Sequence, residues 1–217
     1  ELIFFIPARS GSTRIKNKNL KNFKGKTLLE NKINICKKTK IGDVIVSTDS
    51  QKIAKIAKRS GALILGLRPK KLSTSKSSMI SSILYTLKEI KKKKIKSPKY
   101  IAITPITNPL LERKTIINVF KKLKKLKKFN SITSICKSSV DPFNLIKNIK
   151  NSIKFDIFKY KNKSFRSFER SQDKPTFFKI TSSIQITKTS YFKKFEKNNI
   201  LSIKEKPIDI KSCTFYE

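Results

Sequence analysis

Short apolar-rich runs recur along this chain, at residues 2–6, 43–47, 63–67, 100–104 and 131–135, the first of them apolar at every position. A run that is apolar at every position is a strand buried on both faces. Such strands belong to parallel sheets covered by helices. The segments between them carry helical spacing. Residues 26–38 place Leu29, Ile33 and Cys36 on one side, and the segment after Ser50 turns Ile53, Ala54 and Ala57 inward before Gly61 ends it. Residues from about 77 set Met79, Ile80, Ile83, Leu84, Leu87 and Ile90 three and four apart, and the stretch after Pro109 does the same with Ile116, Ile117, Phe120 and Leu123. Strand, amphipathic helix, strand in this order predicts βαβ units. The fold class is α/β, a mostly parallel sheet with helices on both faces. At 217 residues the chain reads as a single domain, 1–217, with room for one subregion.

That subregion is expected at about 137–177. There the rhythm changes, and Phe143, Phe155, Phe158, Tyr160, Phe165 and Phe168 sit in short polar-spaced segments. An irregular β-rich excursion fits this pattern, its aromatics packed into a small core or against a second subunit. Order returns with a strand at 179–187, a short helix at 190–196 and a last strand at 208–214.

Directly after the first apolar run comes Ile6-Pro7-Ala8-Arg9-Ser10-Gly11-Ser12-Thr13-Arg14-Ile15-Lys16-Asn17-Lys18-Asn19-Leu20. Gly11 between two serines permits a tight turn whose N–H groups face an anion, and Arg9, Arg14 and Lys18 bring three cations into one loop. A loop after the first strand is where α/β proteins hold phosphates. A solvated basic loop is the bland alternative, but arginine is scarce elsewhere. Neither G-x-x-x-x-G-K-[ST] nor G-x-G-x-x-G is present.

Composition narrows the class further. The net charge is +38, overwhelmingly lysine spread along helices, without tryptophan or histidine. Salt-sensitive, nonspecific adhesion to nucleic acid is expected from this charge, and specific recognition is not. Three cysteines, Cys36, Cys136 and Cys213, without histidine exclude an ordinary zinc site and suit reduced thiols in a cytoplasm. No apolar stretch approaches the ~20 residues that span a bilayer, so no membrane partner is expected.

Further residues sit where strand ends should gather. Asp49 follows the second strand; either it touches a ligand, or it or Ser50 simply caps a helix. Arg68 follows the third strand beside Pro69, as a ligand contact or a solvated side chain. Arg170, in Arg170-Ser171-Gln172-Asp173-Lys174-Pro175, could fork onto a carboxylate through two hydrogen bonds.

Taken together, the loop at 6–20 resembles the acylneuraminate cytidylyltransferase signature I-P-A-R-x-G-S-K-R-[IL]-P-x-K-N-[LI], with Thr13 in place of lysine and Lys16 in place of proline. Ser47-Thr48-Asp49, Leu67-Arg68-Pro69 and Arg170–Pro175 are similar to further motifs of that family. Thr104-Pro105-Ile106-Thr107-Asn108-Pro109-Leu110 resembles its sugar-reading Gln-Pro-Thr-Ser-Pro-Leu-Arg, with Thr104 replacing the glutamine. Ser75 stands where the family has an aspartate.

The resemblance implies a Rossmann-like nucleotidyltransferase fold and a homodimer that exchanges the 137–177 excursion. It also implies transfer of CMP from CTP to a nine-carbon α-keto acid sugar with Mg²⁺. On this reading Arg9 and Lys18 are catalytic. CTP is bound by Ala8, Arg9, Ser10, Gly11, Ser12, Arg14, Lys18, Asn19, Asp49 and Arg68, and the sugar by Thr104, Arg170 and Gln172. The related enzymes acting on the eight-carbon sugar acid Kdo follow Ser-Thr-Arg with Lys-Pro, where this chain has Lys18-Asn19. A non-catalytic nucleotide-binding homologue is the other alternative. The family's Asp-Ile-Asp metal motif has two placements. Asp209-Ile210-Lys211 would put a lysine in the metal site, so the favoured placement is beyond Glu217, with the chain clipped.

Overall fold

The computed structural model describes residues 1–11, 15–141, 146–148, 155–157, 175–196, 207–209 and 212–217. They form two compact units, Glu1–Ser134 with Ser182–Tyr216, and Ile135–Thr181 with Glu217.

In the first unit the chain runs β1 (Leu2–Pro7), a 3-10 turn (Lys18–Leu20), the small antiparallel pair β2 (Asn22–Phe23) and β3 (Lys26–Thr27), and α1 (Leu28–Lys38). It continues through β4 (Gly42–Ser47), α2 (Gln51–Arg59), a 3-10 turn (Lys70–Leu72), α3 (Met79–Lys92), β5 (Tyr100–Ile103), α4 (Arg113–Lys125) and β6 (Ser131–Lys137). In the second unit β7 (Ile146–Asn148) and β8 (Phe155–Ile157) pair antiparallel within the expected excursion. Then come β9 (Phe178–Lys188), α5 (Ser190–Lys193) and β10 (Cys213–Tyr216).

Local chemistry sets the helix ends. Thr27-Leu28-Leu29-Glu30 closes a capping box: Glu30 N–H donates to Thr27 Oγ1 at 3.2 Å and Thr27 N–H to Glu30 Oε2 at 2.9 Å. Helix α1 therefore starts at Leu28, two residues later than its periodicity predicts. Ser50 and Ser78 cap α2 and α3 by accepting from Ile53 and Ser81. Gly61, at φ +79°, ends α2 with the paired bonds Gly61 N–H to Lys58 O and Ala62 N–H to Ala57 O, which need a left-handed residue.

The sheet has the order β10-β6-β9-β5-β1-β4. β1 pairs parallel with β4 and β5, and β10 parallel with β6. β9 lies antiparallel to β5. It is also antiparallel to β6, since Lys188 N–H bonds Asn130 O while Ile184 N–H reaches Ser134. The sheet is thus mostly parallel, as predicted, with one reversed strand. Leu2, Phe4 and Ile6 enter one apolar layer with Leu29, Ile33, Ile116 and Phe120, whereas Ile3 and Phe5 enter another with Ile80, Ile83, Ile90 and Phe192.

Two expectations are corrected here. Residues 63–67 do not form a strand: they make a single bridge, Ile45 to Leu63, then leave the edge of β4. Leu63 and Leu67 are 43% and 40% exposed, so the run is apolar without being buried on both faces. The last strand is Cys213–Tyr216, displaced toward the chain end from 208–214.

Lys32 is buried on the inner face of α1. Burial pushes its ammonium down from 10.5 to about 8. The native state thus releases this proton before the unfolded state does, and stability rises with pH from about 8 to 10.5. Lys32→Met should remove that rise. Urea titrations at pH 7 and 10.5 should show the parent gaining about 3 kcal/mol relative to the variant, since each pK unit is worth about 1.4 kcal/mol; equal pH dependence would refute the assignment.

Candidate functional site

The C-terminal ends of β1, β4 and β5 open at one edge of the sheet, where ligands of open α/β folds bind. A cleft of about 440 Å³ lies there. Pro7, Arg9, Ile15, Lys18 and Asn19 line it from the loop after β1. Arg68, Leu72, Thr74 and Ser75 come from the segment after residue 67, Ser77, Ser78, Met79 and Ser82 from the start of α3, and Pro105, Ile106 and Thr107 from the turn after β5.

The loop after β1 is held by its own polar residues. Asn17, left-handed at φ 53°, turns the chain into the 3-10 segment that presents Lys18 and Asn19. Asn19 is buried and its Nδ2 donates to Arg9 O at 2.9 Å, so it fixes the backbone from which the Arg9 side chain departs. Asp49 binds Ser10 twice: the Ser10 N–H reaches Oδ1 and the hydroxyl reaches Oδ2, both at 2.8 Å. Burial alone would raise the Asp49 pKa, but the bonds from Ser10, with help from Arg68, hold it below the ordinary carboxylate value. Ser50, not Asp49, caps α2.

Arg68 is 6% exposed, with Nε donating to Ser73 Oγ at 3.1 Å and a terminal nitrogen to Ser82 Oγ at 2.8 Å. Burial lowers its pKa, Asp49 opposes that, and Arg9 adds to it, so the two guanidiniums feel each other across the site. The α3 N-terminus adds a partial positive charge where Ser78 and Met79 meet the cleft. The arrangement suits a polyanion with an attached planar or polar group. The serines at 73, 77, 78 and 82 were not singled out in the sequence; the polar run before an amphipathic helix was their one signal.

Several expected contacts are placed otherwise. The Ala8 side chain is in the core, its N–H bonded to Ser47 O. Ser10 spends its N–H on Asp49. At Gly11 open space stands where a Cβ would be, and the residues that follow it, 12–14, lie outside the described residues. Thr104 is fully buried, its Oγ1 3.6 Å from Cys36 Sγ, because strand alternation sends it to the same side as Ala102. It does not face the cleft. Asp209 Oδ2 accepts from the Asn130 side-chain amide, and the Asp209 N–H donates to Ser131 Oγ, at the beginning of β6, the opposite end of the sheet from the cleft. That removes it as a metal ligand for this site. Among the described residues no three His, Cys, Asp or Glu side chains cluster as a metal site. Ser12, Arg14, Arg170 and Gln172 lie outside the described residues.

The Asp49–Ser10 clamp yields a test. Asp49→Ala should weaken binding of a nucleoside triphosphate at least tenfold by freeing the loop, since each of the two charge-assisted hydrogen bonds contributes about 1.5–3 kcal/mol. Calorimetric titration with CTP would measure it, and an unchanged Kd would remove the clamp from the site.

Known proteins share both sequence and architecture with this chain. It is 24% identical over 218 residues to a Helicobacter pylori protein named pseudaminic acid cytidylyltransferase and UDP-2,4-diacetamido-2,4,6-trideoxy-beta-L-altropyranose hydrolase, matching 99% of this chain but only 40% of the other. To the CMP-N,N'-diacetyllegionaminic acid synthase of Legionella pneumophila it is 26% identical over 214 residues, 98% of this chain and 88% of the relative. A solved CMP:2-keto-3-deoxy-manno-octonic acid synthetase complexed with CTP superposes with a TM-score of 0.64 at 14% identity, covering 92% of this chain and 78% of that one, and so shares its fold. The family model for cytidylyltransferases matches residues 3–205, and the chain belongs to that family.

Proposed function

We propose that this protein transfers CMP from CTP to a nine-carbon, sialic-acid-like α-keto acid sugar, releasing pyrophosphate for cell-surface glycan synthesis. The observation that carries this reading is the convergence of Arg9, Lys18 and the buried Arg68 on one cleft at the α3 N-terminus. The names of the Helicobacter and Legionella relatives support the choice of sugar class.

The sugar's anomeric hydroxyl attacks the α-phosphorus of CTP, the bond from that phosphorus to the bridging oxygen breaks, pyrophosphate leaves, and the hydroxyl proton passes to solvent. Positioning and charge neutralisation suffice for such a displacement. Arg9 and Lys18 neutralise the triphosphate, Asn19 and Asp49 hold the loop that carries Arg9, and Arg68 faces the cytidine. Ser12 and Arg14 complete the phosphate loop. The turn at 105–107 forms the wall against the sugar; Arg170 and Gln172 are assigned to the sugar by their sequence motif. The protein acts as a homodimer through residues 137–177, in a cytoplasm.

Mg²⁺ belongs to this reading as a companion of the triphosphate. The described cleft residues offer it no carboxylate. Ser75 on the cleft wall, in place of an acid, and the burial of Thr104 favour a second reading, a homologue that binds CTP without turnover.

Pyrophosphate release with CTP, Mg²⁺ and a panel of neuraminic, legionaminic and pseudaminic acids and Kdo separates these readings. Release with a nine-carbon acid is the expected result; CTP binding with no release from any acid establishes the second reading. Arg9→Ala should lower kcat/KM by 2–4 kcal/mol, about 30- to 1,000-fold, without loss of folding. Activity within threefold of the parent would take Arg9 out of the mechanism.

A further inference from the structure

Of the described lysines, Lys32 alone is buried, at 1% exposure. Its Nζ donates to the backbone oxygen of Asn108 at 2.6 Å. The side-chain amide of Asn108 reaches Ser183 on β9. To either side of Asn108 the turn after β5 is anchored by Ile106 and Leu111, both packed into the core layer under α1. The opposite side of that turn, at Pro105, Ile106 and Thr107, lines the cleft. One buried ammonium thus grips the midpoint of a loop whose other surface is a wall of the site.

A methylene chain without the charge would fill the same space at lower desolvation cost. The ammonium is therefore a poor device for stability alone. It is a good one for fixing a carbonyl, because a charge-assisted bond is short and directional. We infer that Lys32 is a positioning residue, whose hold on Asn108 O sets the 105–109 turn in the conformation that receives the acceptor. The identity of that acceptor rests on the proposed sugar transfer; the hold on the turn does not.

Lys32→Met tests this in the full chain, because the two roles move its readouts in opposite directions. The variant should be at least as stable as the parent at pH 7, while hydrogen exchange of the amides of Ile106, Thr107, Asn108, Leu110 and Leu111 becomes about tenfold faster and that of β1 and β4 is unchanged. With a turned-over sugar, its KM should rise about tenfold and the CTP KM stay within twofold. Unchanged exchange at 105–111 would overturn the inference, as would equal rises in both KM values. Should the parent turn over no sugar, the sugar-transfer reading fails by itself and the exchange experiment still tests Lys32. Lys32→Gln, which keeps a donor without the charge, carries the same readouts if Lys32→Met does not fold.

Discussion

Burial of β1 on both faces is the constraint on which the first unit depends. Phe4, Phe5 and Ile6 are inaccessible to solvent, and alternation sends their side chains into two different layers. Each layer needs a cover, so α1 and α4 close one and α3 with α5 the other. The neighbours of β1 in the sheet are parallel, which forces crossover helices between them. It also brings the ends of β1, β4 and β5 out at the same edge. The cleft is the direct consequence: the chain cannot cover β1 without gathering three loops there.

Charge is handled in an unusual way. Against a net charge of +38, one ion pair, Lys124 with Glu1 at 3.3 Å, joins side chains among the described residues. Lysines lie instead across aromatic faces, as Lys194 does at 4.0 Å from the Tyr191 ring centre and Lys128 at 5.2 Å from that of Phe129. Each such contact contributes about 0.5–1 kcal/mol at an exposed site. Among the described residues most lysines are exposed to solvent, which makes their mutual repulsion, and their attraction to any polyanion, sensitive to salt. In the cleft the same sign has a different use. Arg9 and Arg68 are held near each other by neutral and acidic partners, Asn19, Ser73, Ser82 and Asp49, in an arrangement that an incoming anion would relieve.

Much of this was legible in local pattern. Apolar runs and helical spacing marked β1, β4, β5, β6 and all four longer helices, because burial on a regular element leaves its period in the sequence. The capping box at Thr27 and the left-handed Gly61 are equally local. The edge segment at 63–67 was misread because hydrophobicity does not say whether a strand has a neighbour on its far side. Thr104 was misassigned for a related reason: a motif names a position, while the pleat decides which way its side chain points.

The sequence by itself determined the fold class and the order of most strands and helices, and it pointed to the loop after β1 as a candidate place for anion chemistry, since all of these follow from spacing and residue type along the chain. Only the tertiary structure decided what each polar residue does there. Asp49 and Ser10 are 39 positions apart and Lys32 and Asn108 are 76. Those partnerships arise when crossovers bring distant strand ends together, and nothing in the local sequence encodes which groups will meet. The burial of Lys32 is the clearest case, because a lysine among lysines has no mark in the sequence to set it apart. Its special character comes wholly from the apolar layer that closes over it and the single carbonyl left within its reach.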